Sequence, residues 1–168
     1  IDGSMSAFIG QASVSNRPSF LVIGDLSFFY DMNALWNHYV GNNIRILVCN
    51  NSGGAIFHSF PNTANVPTLD EHIAAAHKTS VKDWVVSRGF EYLSATNQEE
   101  FDVSLKLLMD VTKDHPMLLE VFTDMEVDAD CIRNVLNPYK VEDTSLKHQI
   151  GKSCLLYTSP SPRDRSVS

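Results

Sequence analysis

Asp25 and Asn51-Ser52-Gly53 have the residue types and the spacing to do chemistry together. Each follows a short apolar run with the length and composition of a buried β-strand. Phe20-Leu21-Val22-Ile23 leads into Gly24-Asp25-Leu26-Ser27, and Ile44-Arg45-Ile46-Leu47-Val48-Cys49 leads into Asn50-Asn51-Ser52-Gly53-Gly54. The acid and the amide therefore fall at the carboxyl tips of two strands, where open α/β sheets bind ligands. A carboxylate, an amide oxygen and a glycine carbonyl are hard oxygen donors, suited to magnesium carrying a phosphate group. Taken singly, the aspartate reads as a helix cap, the asparagines as turn residues and the glycines as left-handed loop positions. Together they outline a metal–diphosphate site.

The elements that must position this site alternate along the chain. A small-residue helix is expected from Ser4 or Ser6 to about Val14. After the turn at Asn16-Arg17-Pro18 and the first strand, a helix from about Ser27 to Tyr39 carries Phe28, Met32, Leu35 and Tyr39 on one face, with Trp36 beside them. Strand, helix and strand follow in quick succession, which implies parallel strands joined by a right-handed crossover. An irregular stretch from Phe60 to Pro67 precedes a helical region expected over Asp70 to Arg88 and ended by Gly89. Phe90 to Leu93 reads as a strand. Thr96 or Asn97 caps a helix with Phe101, Leu105, Leu108 and Met109 on its buried stripe, and a following glutamate can reach back to the cap. Met117 to Phe122 is a last strand and Ala129 to Leu136 a last helix. The pattern predicts a doubly wound α/β domain with a mainly parallel sheet and helices on both faces.

The bulk numbers narrow the partners. The chain has 168 residues, 43% hydrophobic and 20% charged, with net charge −7. That suits one domain with a substantial core and disfavours nucleic acid or an anionic membrane surface. No stretch reaches the roughly 20 apolar residues of a membrane span. Cys49, Cys131 and Cys154 are scattered, so neither a zinc site nor a disulfide framework is indicated, and a reducing cytoplasm is expected. Beyond about Tyr139 the periodicity ends. Residues 140–168 read as a non-family tail, either a cloning scar, which its ending resembles, or a disordered extension.

Gly24-Asp25 followed one βα unit later by Asn51-x-Gly53 resembles the cofactor motif of thiamine-diphosphate-dependent enzymes. Leu26-Ser27, Asp31-x-Asn33-Ala34-Leu35 and Asn50-Asn51-Ser52-Gly53-Gly54-Ala55-Ile56-Phe57 with Pro61 are similar to one branch of them. That branch comprises the synthases that make 2-succinyl-5-enolpyruvyl-6-hydroxy-3-cyclohexene-1-carboxylate in menaquinone biosynthesis. Ile1-Asp2-Gly3-Ser4-Met5-Ser6 matches a family segment upstream of the aspartate, so the likeness runs from residue 1 to about 137 and a cofactor-binding domain over 1–139 is expected. Acetolactate synthases and 2-oxo-acid decarboxylases are the neighbouring branches. A non-catalytic doubly wound nucleotide- or partner-binding module is the alternative of another class.

The resemblance implies roles for single positions. Asp25, the Asn51 side chain and the Gly53 carbonyl would bind Mg2+ (or Mn2+). Gly24 and the backbone amides of Leu26 and Ser27 would meet the diphosphate at a helix start. Ile1 would wedge the cofactor into its bent form, and Ile56, Phe57 and Phe60 would form an apolar wall near the substrates. His58 lies next to that wall, whereas His72 and His77 are read as solvated or locally bonded. The implied reaction is a transferase reaction: decarboxylation of 2-oxoglutarate and addition of the resulting carbanion to isochorismate. The family works as a homodimer or homotetramer, with the cofactor at the subunit interface and an activating glutamate on a domain not represented here. The chain is therefore expected to hold no catalytic residue of its own, to be inactive alone, and to leave apolar surface exposed where neighbouring domains pack.

Overall fold

The computed structural model describes residues 2–136. Ile1 and residues 137–168, Cys154 among them, lie outside the described residues, as do the expectations placed on them.

Four strands, β1 (Ser19–Gly24), β2 (Ile44–Asn50), β3 (Glu91–Ala95) and β4 (Met117–Phe122), form a sheet in the order β1-β2-β4-β3. Every neighbouring pair is parallel. Among the described residues seven α-helices connect or flank them: α1 (Ser4–Ala12), α2 (Asp25–Asp31), α3 (Ala55–His58), α4 (Pro61–Ala64), α5 (Lys82–Ser87), α6 (Gln98–Leu108) and α7 (Met125–Leu136). The architecture is the doubly wound α/β arrangement expected from the alternation. Register aligns the strand ends, with Gly24 opposite Cys49 and Asn50 opposite Phe122. Asp25 and Asn51 are thereby carried to the same edge of the sheet.

Strand alternation sends residues to two separate cores. On one face Ile44, Ile46 and Val48 of β2 and Leu118 of β4 pack with Met5 and Ile9 of α1, Phe28 of α2 and Val85 of α5. On the other face Met117 and Leu119 of β4 and Ala95 of β3 meet Leu108 of α6, with Phe101 and Leu105 beside them. The second cover does not extend across β1. Phe20 and Val22 point to that side and remain 43% and 70% exposed.

The lower edge of the sheet is closed by a buried cation. Arg45 is 2% exposed, and its guanidinium donates to the carbonyls of Asn42, Ile44, Lys113 and His115. Burial lowers its pKa, while Asp110 and Glu91 work against that shift. Next to it His115 joins Glu91, at the start of β3, to Asp114.

Several expectations are corrected here. The helix after β1 does not run to Tyr39: α2 ends at Asp31, a 3-10 turn covers Met32–Leu35, and Trp36 and Tyr39 stay exposed. Ser4 and Ser6 do not cap α1, which begins after a left-handed Gly3. Ser6 instead binds the Asp31 carboxylate through both its N–H and its hydroxyl, at 2.6 Å each. The region Asp70 to Arg88 is not one helix but a π-turn at Leu69–Ile73, an irregular passage and the short α5. Met109 lies outside the buried stripe of α6. The α6 cap forms as expected: Asn97 Oδ1 accepts the Glu100 N–H at 3.0 Å, and Glu100 reaches back to Thr96.

Glu91 first, then Asp114, raise the His115 pKa above its ordinary 6.5. A raised folded value contributes stability that is fully present below the unfolded value and fades as pH rises through the folded one. The difference in melting temperature between the wild type and His115→Gln is expected to be larger at pH 6 than at pH 8.5. Thermal melts at both pH values check this, and equal differences would remove His115 from the stability of the lower edge.

Candidate functional site

Asp25 is the first residue of α2 and 2% exposed, directly after the last residue of β1. Its Oδ1 accepts the Leu26 N–H at 2.7 Å, which commits one of the two amides expected at the diphosphate. Its Oδ2 accepts the Gly53 N–H at 2.9 Å, stitching the tip of β1 to the loop after β2. A third donor comes from a residue the sequence reading set aside. His77 Nε2 lies 3.1 Å from the same Oδ2, and the Thr79 N–H donates to His77 Nδ1 at 3.0 Å. With Nδ1 accepting, the ring proton sits on Nε2 and is donated to the carboxylate.

The loop after β2 adopts a conformation that explains its glycines. Ser52 has φ 67° and Gly53 φ 149°. A Cβ on Gly53 would stand 2.8 Å from the Ala74 carbonyl oxygen and 2.8 Å from Met125 Cε, so both backbone conformation and space restrict the position to glycine. The neighbouring segment is pinned to it by Gly54 N–H to Ala74 O at 2.7 Å and His77 N–H to Ser52 O at 2.9 Å.

Asn51 shows an asymmetry that bears on ligands. Its Nδ2 donates to Asp128 Oδ2 at 2.9 Å, while its Oδ1 is buried and has no hydrogen-bond partner. A buried amide oxygen without a donor is costly unless a bound water or cation fills the place. Burial first, then Asp128 and Asp25, raise the pKa of the Cys49 thiol.

Beneath the loop lies a second buried acid. Glu120 is fully buried in β4, between β2 and β3. It accepts from Asn50 Nδ2 at 2.7 Å, Ser80 Oγ at 2.6 Å, the Val81 N–H at 3.1 Å and the Tyr92 hydroxyl at 2.7 Å. Asn50 Oδ1 in turn accepts the Ser52 N–H at 3.1 Å. Burial, followed by the bond to Glu120, pushes the Tyr92 pKa up to about 12.

The structure thus gathers Gly24, Asp25, Leu26, Ser27, Asn51 and Gly53 at one edge. Ile56 and Phe60 are each 48% exposed, and Phe57 is half-buried, on the segment that follows. His58 faces Asp70 at 2.8 Å, off the line of a hydrogen bond. His72 is exposed beside Glu71. Sequence reasoning missed the contacts of His77 with Asp25, Glu120 with Asn50 and Asp128 with Asn51, which span 52, 70 and 77 residues of chain. The one available signal was Glu120, a lone charge inside an apolar strand. Among the described residues no three His, Cys, Asp or Glu side chains gather into a metal cluster. A site of one carboxylate, one amide and one carbonyl is of a different kind.

The doubly wound α/β sheet thus carries an acid, an amide and a tight glycine loop at its carboxyl edge. The sequence is 47% identical over 141 residues to the 2-succinyl-5-enolpyruvyl-6-hydroxy-3-cyclohexene-1-carboxylate synthase of Phocaeicola vulgatus, covering 83% of this chain and 25% of that protein. The synthases of the same name from Bacteroides fragilis and Bacteroides thetaiotaomicron are each 43% identical over the same shares. No family model matches the chain. The chain is similar to a segment of these synthases and spans about a quarter of the length of the curated relatives it matches.

Glu120→Ala would leave the Ser80 and Tyr92 hydroxyls and the Val81 N–H without their acceptor. A loss of about 3 kcal/mol in unfolding free energy is expected. Urea denaturation of the variant against the wild type measures it, and a loss under 1 kcal/mol would show that these donors find other partners.

Proposed function

We propose that this chain is the thiamine-diphosphate- and magnesium-binding part of a 2-succinyl-5-enolpyruvyl-6-hydroxy-3-cyclohexene-1-carboxylate synthase. The observation that carries the reading is the buried, unpartnered Asn51 Oδ1 on the loop that Asp25 holds through Gly53. The donor set fits a hard divalent cation. Asp25, Asn51 Oδ1 and the Gly53 carbonyl hold Mg2+ or Mn2+, and Gly24 and the start of α2 face the diphosphate. When bound, thiamine diphosphate supplies the carbanion chemistry that takes carbon dioxide from 2-oxoglutarate and joins the remainder to isochorismate.

The chain's own residues bind, orient and exclude water. Ile56, Phe57 and Phe60 form an apolar wall that keeps the reacting centre dry. Exposed Phe20, Val22, Trp36 and Ile56 support a chain that packs against further domains or a second subunit, as a homodimer or homotetramer with the cofactor at the interface. The whole protein serves menaquinone biosynthesis as a transferase in the cytoplasm. Among the described residues no helix is long and apolar enough to cross a membrane. The chain alone is inactive in this reading, because the resemblance assigns the activating glutamate to another domain of the whole protein.

Calorimetric titration of thiamine diphosphate with and without magnesium tests the site, on this chain and on the full-length protein that contains it. Magnesium-dependent binding is expected, lost in Asp25→Ala. Binding by the full-length protein that ignores both magnesium and the substitution would overturn the reading. Turnover of both substrates by the isolated chain above background would overturn its inactivity.

A further inference from the structure

We infer that Asp128 is a positioning residue: it fixes the orientation of the Asn51 amide so that the oxygen, and not the nitrogen, faces the metal. The inference rests on the metal–diphosphate reading above and extends it to a residue outside the motif.

A primary amide is nearly symmetric in shape but opposite in polarity at its two ends. Rotation by half a turn about the last side-chain bond would replace an oxygen ligand with an NH2 group, which offers a cation no lone pair and a repulsive partial charge. The loop backbone cannot prevent that rotation, since it fixes where the side chain starts and not which end points inward. An ionised carboxylate can, because it only accepts hydrogen bonds. Asp128 Oδ2 accepts Asn51 Nδ2 at 2.9 Å, and the opposite end, Oδ1, is left buried and without a partner.

Asp128 is itself held. Thr123 Oγ1 donates to the same Oδ2 at 2.7 Å. The Asp128 N–H donates to the Asp124 carbonyl at 2.9 Å, and Asp124 Oδ1 accepts the N–H groups of Glu126 and Val127 at 3.0 Å each. The Thr123 N–H donates to Asn50 O at 3.0 Å, tying the end of β4 to the residue before Asn51. The first turn of α7 is therefore a rigid mount with a carboxylate aimed at one nitrogen. Helix-terminal charge alone would not explain that aim: Asp124 performs the capping, and Asp128 is turned to Asn51.

The test is a double-variant cycle read by metal affinity in the full-length protein. Magnesium is titrated calorimetrically in the presence of saturating thiamine diphosphate. Asp128→Ala is expected to weaken magnesium about tenfold, and Thr123→Val about two- to threefold. In an Asn51→Asp background the ligand has two equivalent oxygens and needs no orientation. There Asp128→Ala should leave magnesium affinity unchanged or improve it by removing a like charge. Unchanged affinity in the Asn51 protein would overturn the inference. Equal losses in both backgrounds would also overturn it, since Asp128 would then act through charge or by holding α7. Should Asp128→Ala fail to fold, the milder Thr123→Val carries the same cycle with the same reading. A wild type that binds thiamine diphosphate without any need for magnesium would bring down the metal reading and this inference together. A magnesium-dependent wild type with an indifferent Asp128→Ala would bring down this inference alone.

Discussion

A carboxylate without exposed surface, in the strand between β2 and β3, sets the terms for the upper half of the molecule. Among the described residues Glu120 has no ion-pair partner, so its charge is met by hydrogen bonds alone. Those donors come from the strand tip at Asn50, the loop at Ser80 and Val81, and β3 at Tyr92. Buried charges persist only when every lone pair is answered, and the answer here draws three distant segments to one point. The Asn50 amide then passes the constraint on, because its oxygen accepts the Ser52 N–H and shapes the turn that presents Asn51 and Gly53. Glu120 thereby shapes the loop that the proposed metal site needs.

The same segments meet again above the sheet. Asp25 draws Gly53 and His77 to itself, and His77 is held by Thr79, one residue before the Ser80 that binds Glu120. Asp128 closes the far side through Asn51. The strand tips are thus enclosed between two carboxylates, Asp25 on one side and Asp128 on the other. Hydrogen bonds to charged groups are the stronger kind, so a few of them suffice to hold a loop whose Ser52 and Gly53 both have positive φ. Below, Arg45 does the converse, a cation held by backbone carbonyls.

The order of strands and helices was legible because hydrophobic period and turn residues are local properties. Asn97 with Glu100, Gly89 after α5, and the apolar runs of β2 and β4 all act within a few residues of chain. The expectations that failed needed information from elsewhere. The helix after β1 stops early although its apolar period continues through Trp36, because Asp31 turns to Ser6 and the chain tightens into a 3-10 turn. The stretch between Asp70 and Arg88 has helical composition, yet hydrogen bonds from Gly54 and His77 hold its middle against the loop after β2 and leave room for only short helices.

By itself the sequence determined which residues stand at the strand tips. Strand and turn signals are short-range, and the pairing of Gly24-Asp25 with Asn51-x-Gly53 is written in the spacing of one βα unit. Only the tertiary structure decided which way those residues face and what holds them. His77 lies 52 residues from Asp25, Glu120 lies 70 from Asn50 and Asp128 lies 77 from Asn51, and no periodicity reports a contact made across a sheet. The orientation of an amide is decided by a single acceptor placed against it, and that placement exists only once β4 has aligned beside β2.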